Sequence, residues 1–173
     1  YDGSPEAEHF RNERLKLYDA ALEYVSDQLS QLIEQVEDDT LLVITGDHGE
    51  SQFEHSELDR QFSDSRPNYC VGHGGTPYDE LARVPVAVTV QGDELTPSGG
   101  WGSLIDIPRT ICEQTLENHP FSGVDWAGLI PEDRGVICEA SRYGTERKAI
   151  YKGDRILIHS KSDDVSLTAR FED

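Results

Sequence analysis

Methionine is absent from all 173 residues, and the chain opens on Tyr1-Asp2-Gly3. With no initiator, it reads as processed or excised from something longer. Cysteine is scarce: Cys70, Cys112 and Cys138 are odd in number and show no C-x-x-C spacing. That excludes a disulfide framework and fits reduced thiols in a cytoplasmic protein. No signal-peptide pattern and no apolar run of spanning length is present, so no membrane partner is expected. Positive charge is also in short supply. Fifteen bases, four of them lysine, face 34 acids, for a net charge of −19. Such a surface repels nucleic acid and anionic lipid, which removes both as partners. An acid-rich, lysine-poor face stays soluble where salt screens repulsion, which is the composition expected of a halophile's protein. Hydrophobic residues reach only 36%, low for a globular chain yet enough for one domain with a real core.

Organisation is present in the apolar pattern. Leu15, Tyr18, Leu22, Val25, Leu29, Leu32 and Val36 are spaced 3-4-3-4-3-4, one stripe of a helix over residues 6–37. The stripe is a coiled-coil seam or the face of a helix lying on a sheet; Ala21 and Ile33 widen it toward the second reading. Residues 40–45 form a continuous apolar strand of the kind buried on both faces of a parallel sheet. A polar stretch over 50–68 reads as loop with short helix, and residues 84–90 as a second buried strand. A Gly/Pro/Ser-rich loop (91–102), a helix (103–116), a short strand (135–139) and a hairpin (148–159) complete the pattern. This order describes the edge half of an α/β domain over residues 1–140, followed by an antiparallel appendage over 141–173.

Ligands of open α/β sheets gather at the carboxyl ends of strands. There the sequence reads Thr45-Gly46-Asp47-His48-Gly49-Glu50. A carboxylate beside an imidazole is a metal-ligand pair, or else Asp47 is a helix cap and His48 a surface residue. Glu54-His55 and Gly72-His73-Gly74-Gly75 follow, so three of six histidines fall within residues 48–73. His48-Gly-Glu50 lacks the P-C-x-x-C of a zinc deaminase, and His48 and His55 are too far apart for an H-E-x-x-H helix. No P-loop and no G-x-S-x-G elbow is present.

The strings DDTLLVITGDHGE, EHS and GHGGTPYDELARVPVAV, in that order, resemble the C-terminal part of the sulfatases, in the alkaline-phosphatase-like superfamily. YDAALEYVSDQL, SLIDIPRTICE and ERKAIYKGDRILI match further family segments, so the resemblance covers nearly the whole chain. It implies the C-terminal half of an α/β/α sandwich with a mostly parallel sheet, ending in a small C-terminal antiparallel hairpin. It also implies Asp47 and His48 as metal ligands, with calcium first and manganese or zinc as alternatives. His73 matches the basic residue that contacts the sulfate or phosphate group, and His55 the histidine of an E-H-G motif whose glycine is Ser56 here. Tyr78, Asp79, Glu80 and Arg83 match a positioning strip.

The family's nucleophile motif, C/S-x-P-x-R, does not occur, and no early aspartate pair ends a strand; Asp38 and Asp39 precede theirs. The expectation is a fragment of a metal-dependent sulfuric ester hydrolase, inactive alone. Two alternatives stay open. One is a fragment of a manganese or zinc phosphodiesterase or phosphoglycerol-transferase relative. The other is a non-catalytic module that self-associates, as a homodimer, through the helix stripe.

Overall fold

The computed structural model describes residues 2–66, 70–116 and 118–170. The end of the polar stretch, residues 67 and 68, and the last three residues of the appendage lie outside them. In chain order the elements are α1 (Pro5–Ile33), β1 (Leu42–Thr45), β2 (Ser51–Gln52), α2 (Ser56–Asp59), β3 (Val71–Gly72) and α3 (Asp79–Ala82). Then come β4 (Val86–Val90), β5 (Asp93–Glu94), β6 (Ser98–Gly99), a 3-10 turn (Leu104–Asp106) and α4 (Ile107–Thr115). The last five are β7 (Leu129–Ile130), β8 (Val136–Ala140), β9 (Arg147–Lys152), β10 (Arg155–Ser160) and β11 (Val165–Arg170). Among the described residues no helix is long and apolar enough to cross a membrane.

The fold is mixed α/β, and its strands run differently from the expectation. β1 and β4 pair antiparallel, Leu42 opposite Thr89 and Thr45 opposite Val86, with β5 added beyond β4. The parallel pairing among the described residues is the short one of β6 with β7. A mostly parallel sheet is therefore not what these residues form. An apolar run signals burial, and both strand directions satisfy burial equally, so the pattern never contained the direction. Val88 on β4 packs with Trp126 and Ile130, flanked by Val43, Val90, Leu95 and Ile107.

Helix α1 starts where its sequence says it should. Ser4 accepts from the Ala7 N–H at 3.2 Å, Pro5 occupies the first turn, and Glu6 and Glu8 face its positive end. It ends at Ile33, four residues before the expected limit. Its apolar stripe does not lie on the sheet, for no side chain of α1 is buried. The attachment is through its first turns. Arg11 donates to the Gln52 carbonyl (3.0 Å), Arg14 reaches Gln52 Oε1 (3.3 Å) and Glu50 Oε1 (3.0 Å), and Phe10 meets Phe53 edge-on. Periodicity specifies an apolar face and leaves open what covers it.

The helix expected over 103–116 begins as a 3-10 turn closed by a capping box between Ser103 and Asp106. Asp106 is fully buried and satisfied. It accepts from the Ser103 and Val124 backbone N–H groups (2.8 and 3.0 Å), from Trp126 Nε1 (3.3 Å) and from Arg134 in a bidentate pair (2.6 and 2.8 Å). Burial pushes its pKa up, but Arg134 and the backbone donors outweigh that, and the net direction is downward.

The expected hairpin is the centre of a four-stranded antiparallel sheet, ordered β11-β10-β9-β8. The short strand expected over 135–139 is its edge, β8. Side chains alternate strictly between buried and exposed along β9 and β10, the period-2 signature of a sheet with one covered face. Ala149, Tyr151, Ile156 and Ile158 form a core with Phe62 and Tyr78. Two polar ties fix this sheet to the glycine-rich segment: buried Arg147 donates to the Gly75 carbonyl (2.6 Å), and Tyr151 Oη to the Pro77 carbonyl (2.7 Å). The C-terminal sheet thereby holds residues 72–78 against the end of β1.

Candidate functional site

Asp47 and His48 leave the carboxyl end of β1 on a bend. His48 Nδ1 lies 2.7 Å from the Gly49 carbonyl. A carbonyl only accepts, so Nδ1 carries the hydrogen and Nε2 keeps its lone pair. That Nε2 faces Asp47 Oδ2 at 3.6 Å, and the Asp47 side chain is 90% exposed. Two donors on one ion, each about 2.1 Å from it, lie about 3.0–3.4 Å apart. The pair fits a shared cation after a small rotation of the Asp47 carboxylate. A cleft of about 640 Å³ opens beside it, walled by Asp47, His48, Gly74, Arg83, Trp101 and Tyr151.

The two glycines bracketing the pair have different duties. A side chain at Gly46 would make ordinary contacts. At Gly49 a Cβ would sit 1.9 Å from the Glu80 carbonyl oxygen, and the Gly49 N–H bonds the Leu81 carbonyl at 2.9 Å. Gly49 is there because the end of the α3 turn passes directly over it.

His73 lies with the pair, its ring stacked on that of His48 at 4.0 Å between centroids. Its Nδ1 is 3.0 Å from Glu50 Oε2, and its Nε2 is 3.0 Å from Arg142 Nη1. A guanidinium only donates, so Nε2 accepts and the ring hydrogen sits on Nδ1 toward Glu50. Glu50 is itself held by Arg14 at 3.0 Å. The donor atoms of His48, Glu50 and His73 come within 4.8 Å of one another. Three participants were missed by sequence reasoning. Glu50 had a signal, standing two residues after His48. Arg14 and Arg142 had none, being 36 and 69 residues from the partners they bond.

His55 stands elsewhere. Its Nδ1 pairs with Glu80 Oε1 at 2.9 Å, its ring stacks on buried Tyr78 at 4.2 Å, and no contact among the described residues links it to His48 or His73. The Glu80 hydrogen bond raises its pKa against the opposing pull of burial. Asp79 completes a second His-carboxylate group with it. Of the remaining strip, Arg83 lies over the Trp101 ring at 5.4 Å. The thiols do not resemble nucleophiles. Burial pushes Cys70 up to about 12 and raises Cys138 as well, so neither is a thiolate near neutrality.

A family model described as Sulfatase matches residues 1–116 of the chain. No curated protein matches it significantly. Among solved structures, that of BT4656 in complex with its substrate D-glucosamine-2-N,6-O-disulfate aligns with a TM-score of 0.57 at 20% sequence identity. The alignment covers 86% of this chain and 31% of that one. At this identity the likeness speaks to the fold alone, and the chain spans about a third of the length of the protein it matches.

Proposed function

The chain belongs to the sulfatase family, and from that premise we propose that it supplies part of the site of a metal-dependent sulfuric ester hydrolase. Asp47 and His48 are two of the ligands of a divalent metal, and His73 is the histidine that faces the ester group. The observation that carries this reading is the Asp47–His48 pair: a carboxylate and an imidazole Nε2 at 3.6 Å, the far ring nitrogen tied to a backbone carbonyl. Such a tie orients a metal-ligating histidine and fixes its tautomer. A divalent ion bound there would neutralise charge developing on the ester oxygens.

The chain's own residues do the rest. Glu50 holds the hydrogen of His73 on Nδ1, so Nε2 is the atom that, when it carries a proton, donates to a non-bridging oxygen or to the leaving oxygen. Arg14 holds Glu50 aimed at His73. The nucleophile and the remaining metal carboxylates come from outside these 173 residues, since C/S-x-P-x-R does not occur in them. Two ligands cannot fill the six or more positions calcium takes, so the chain alone binds divalent ions weakly and turns over no sulfate ester.

His48 favours a second reading. Imidazole suits manganese and zinc better than calcium, as in a phosphodiesterase or phosphoglycerol-transferase relative. One experiment tests the common element of both. Manganese binding to the chain is followed by the loss of the free-ion electron paramagnetic resonance signal. Weak binding is expected, weakened at least about tenfold further in Asp47→Asn and in His48→Ala. Equal binding in all three proteins would overturn the assignment, and calcium competition ranks the two metals.

A further inference from the structure

Four arginines surround the His73 segment, and three already face carboxylates, buried Arg147 lying 3.9 Å from Asp59 Oδ1. Arg14 pairs with Glu50 (3.0 Å), and Arg66 is gripped by Asp64 through Nη2 at 2.7 Å and Nε at 3.0 Å. Arg142 differs. It follows β8, is exposed, and ion-pairs with no carboxylate among the described residues, in a chain with 34 acids to 15 bases. Its Nη1 instead rests on a single neutral acceptor, His73 Nε2, at 3.0 Å. That is a weak partner for a guanidinium, whose donors match two oxygens of one oxyanion.

The position is built. The Arg142 backbone N–H bonds the Gly74 carbonyl at 3.2 Å, and Tyr143 lies under the guanidinium at 5.0 Å. Gly74 has φ +81°, and a Cβ there would stand 2.9 Å from Arg142 Cδ. A residue other than glycine would be strained at that φ and would push the arginine stem aside. The backbone thus brings a charged donor to the one nitrogen of His73 that faces away from Glu50, beside the Asp47–His48 pair.

We infer that Arg142 and His73 form a seat for a tetrahedral oxyanion, the sulfate or phosphate group of the ester, and that Arg142 is a substrate-binding residue. The inference rests on the reading of His73 given above. In the free chain Arg142 occupies His73 Nε2. An arriving oxyanion takes the Arg142 N–H groups onto its own oxygens, and Nε2 loses the hydrogen bond it accepted from the guanidinium. No bond is made or broken; one hydrogen-bond acceptor replaces another.

The test uses the chain without metal, in chelator, so it stands apart from the manganese experiment. Sodium sulfate and sodium phosphate are titrated at constant ionic strength against a chloride reference, and the His73 ring 15N shifts are followed. The expected result is saturable movement of the Nε2 resonance with sulfate or phosphate and none with chloride. Arg142→Gln should weaken the anion about tenfold, the worth of one charge-assisted contact, and Arg142→Lys should restore part of it. Saturation by phosphate but not sulfate keeps the seat and assigns the ester to phosphate. Affinity within twofold of the parent in Arg142→Gln, or an equal response to chloride, overturns the proposal. A manganese result of either sign leaves these outcomes unchanged.

Discussion

In β9 and β10 every second side chain is buried, whereas none of the 29 residues of α1 is. Both segments carry regular apolar patterns, period 2 in the strands and 3.6 in the helix. The strands find their cover within the chain, because Phe62 and Tyr78 return to pack on Ala149, Tyr151, Ile156 and Ile158. Helix α1 is anchored through Phe10, Arg11 and Arg14, while Leu22, Val25, Leu32 and Ile33 are exposed. An apolar pattern is thus a demand for a partner. The C-terminal half of the chain meets that demand internally and the N-terminal helix does not.

The contrast can be broken from either side. Ile158→Ala removes a side chain that is 2% exposed from the centre of the covered face. It should cost about 2–5 kcal/mol in denaturant unfolding; a loss below about 1 kcal/mol would mean that the C-terminal sheet is not the stable part. The next effect lies at the rim of that core, where His55 stacks on Tyr78 and pairs with Glu80. Its pKa is raised above the ordinary 6.5. The stabilisation is therefore complete below about pH 6.5 and fades as pH rises through the folded-state value. His55→Gln should be less stable than the parent at pH 5.5, and the gap should narrow by pH 8.5. A gap independent of pH would assign the contribution to stacking instead of charge.

The smallest effect is expected on α1. Val25→Ala exchanges an exposed β-branched residue for a better helix former and should change stability by less than about 0.5 kcal/mol. A loss above about 1 kcal/mol, together with a melting temperature that rises with protein concentration, would show the stripe covered in solution by a second copy. That outcome would support the self-associating reading.

The candidate site divides along the same line. Adjacency at the carboxyl end of an apolar strand made Asp47 and His48 candidates, and the motifs that follow, with the family resemblance, set them above a helix cap and a surface residue. His73 became a candidate through its place in the histidine cluster and the family resemblance, and Gly74 beside it takes a left-handed φ. His55 shared the same cluster of histidines in sequence, yet its bonds go to Glu80 and Tyr78. Spacing along the chain cannot separate two histidines whose partners differ, Glu80 and Tyr78 for His55 and Glu50 and Arg142 for His73. Glu50 was in view without a role, which it acquires from Arg14 and His73.

By itself the sequence determined the start of α1 at Ser4 and Pro5, the strand ending at Thr45, the alternation in β9 and β10, and the acidic surface. Each follows from neighbours within a few residues or from composition. The tertiary structure decided the antiparallel pairing of β1 with β4, the exposure of α1, the turn of Glu50 onto His73, and the approach of Arg142 to His73 Nε2. Those depend on contacts between residues 23 to 69 positions apart or more, or on which partner is present. Burial and periodicity are indifferent to strand direction and to the identity of what covers a face, so only the folded chain could settle them.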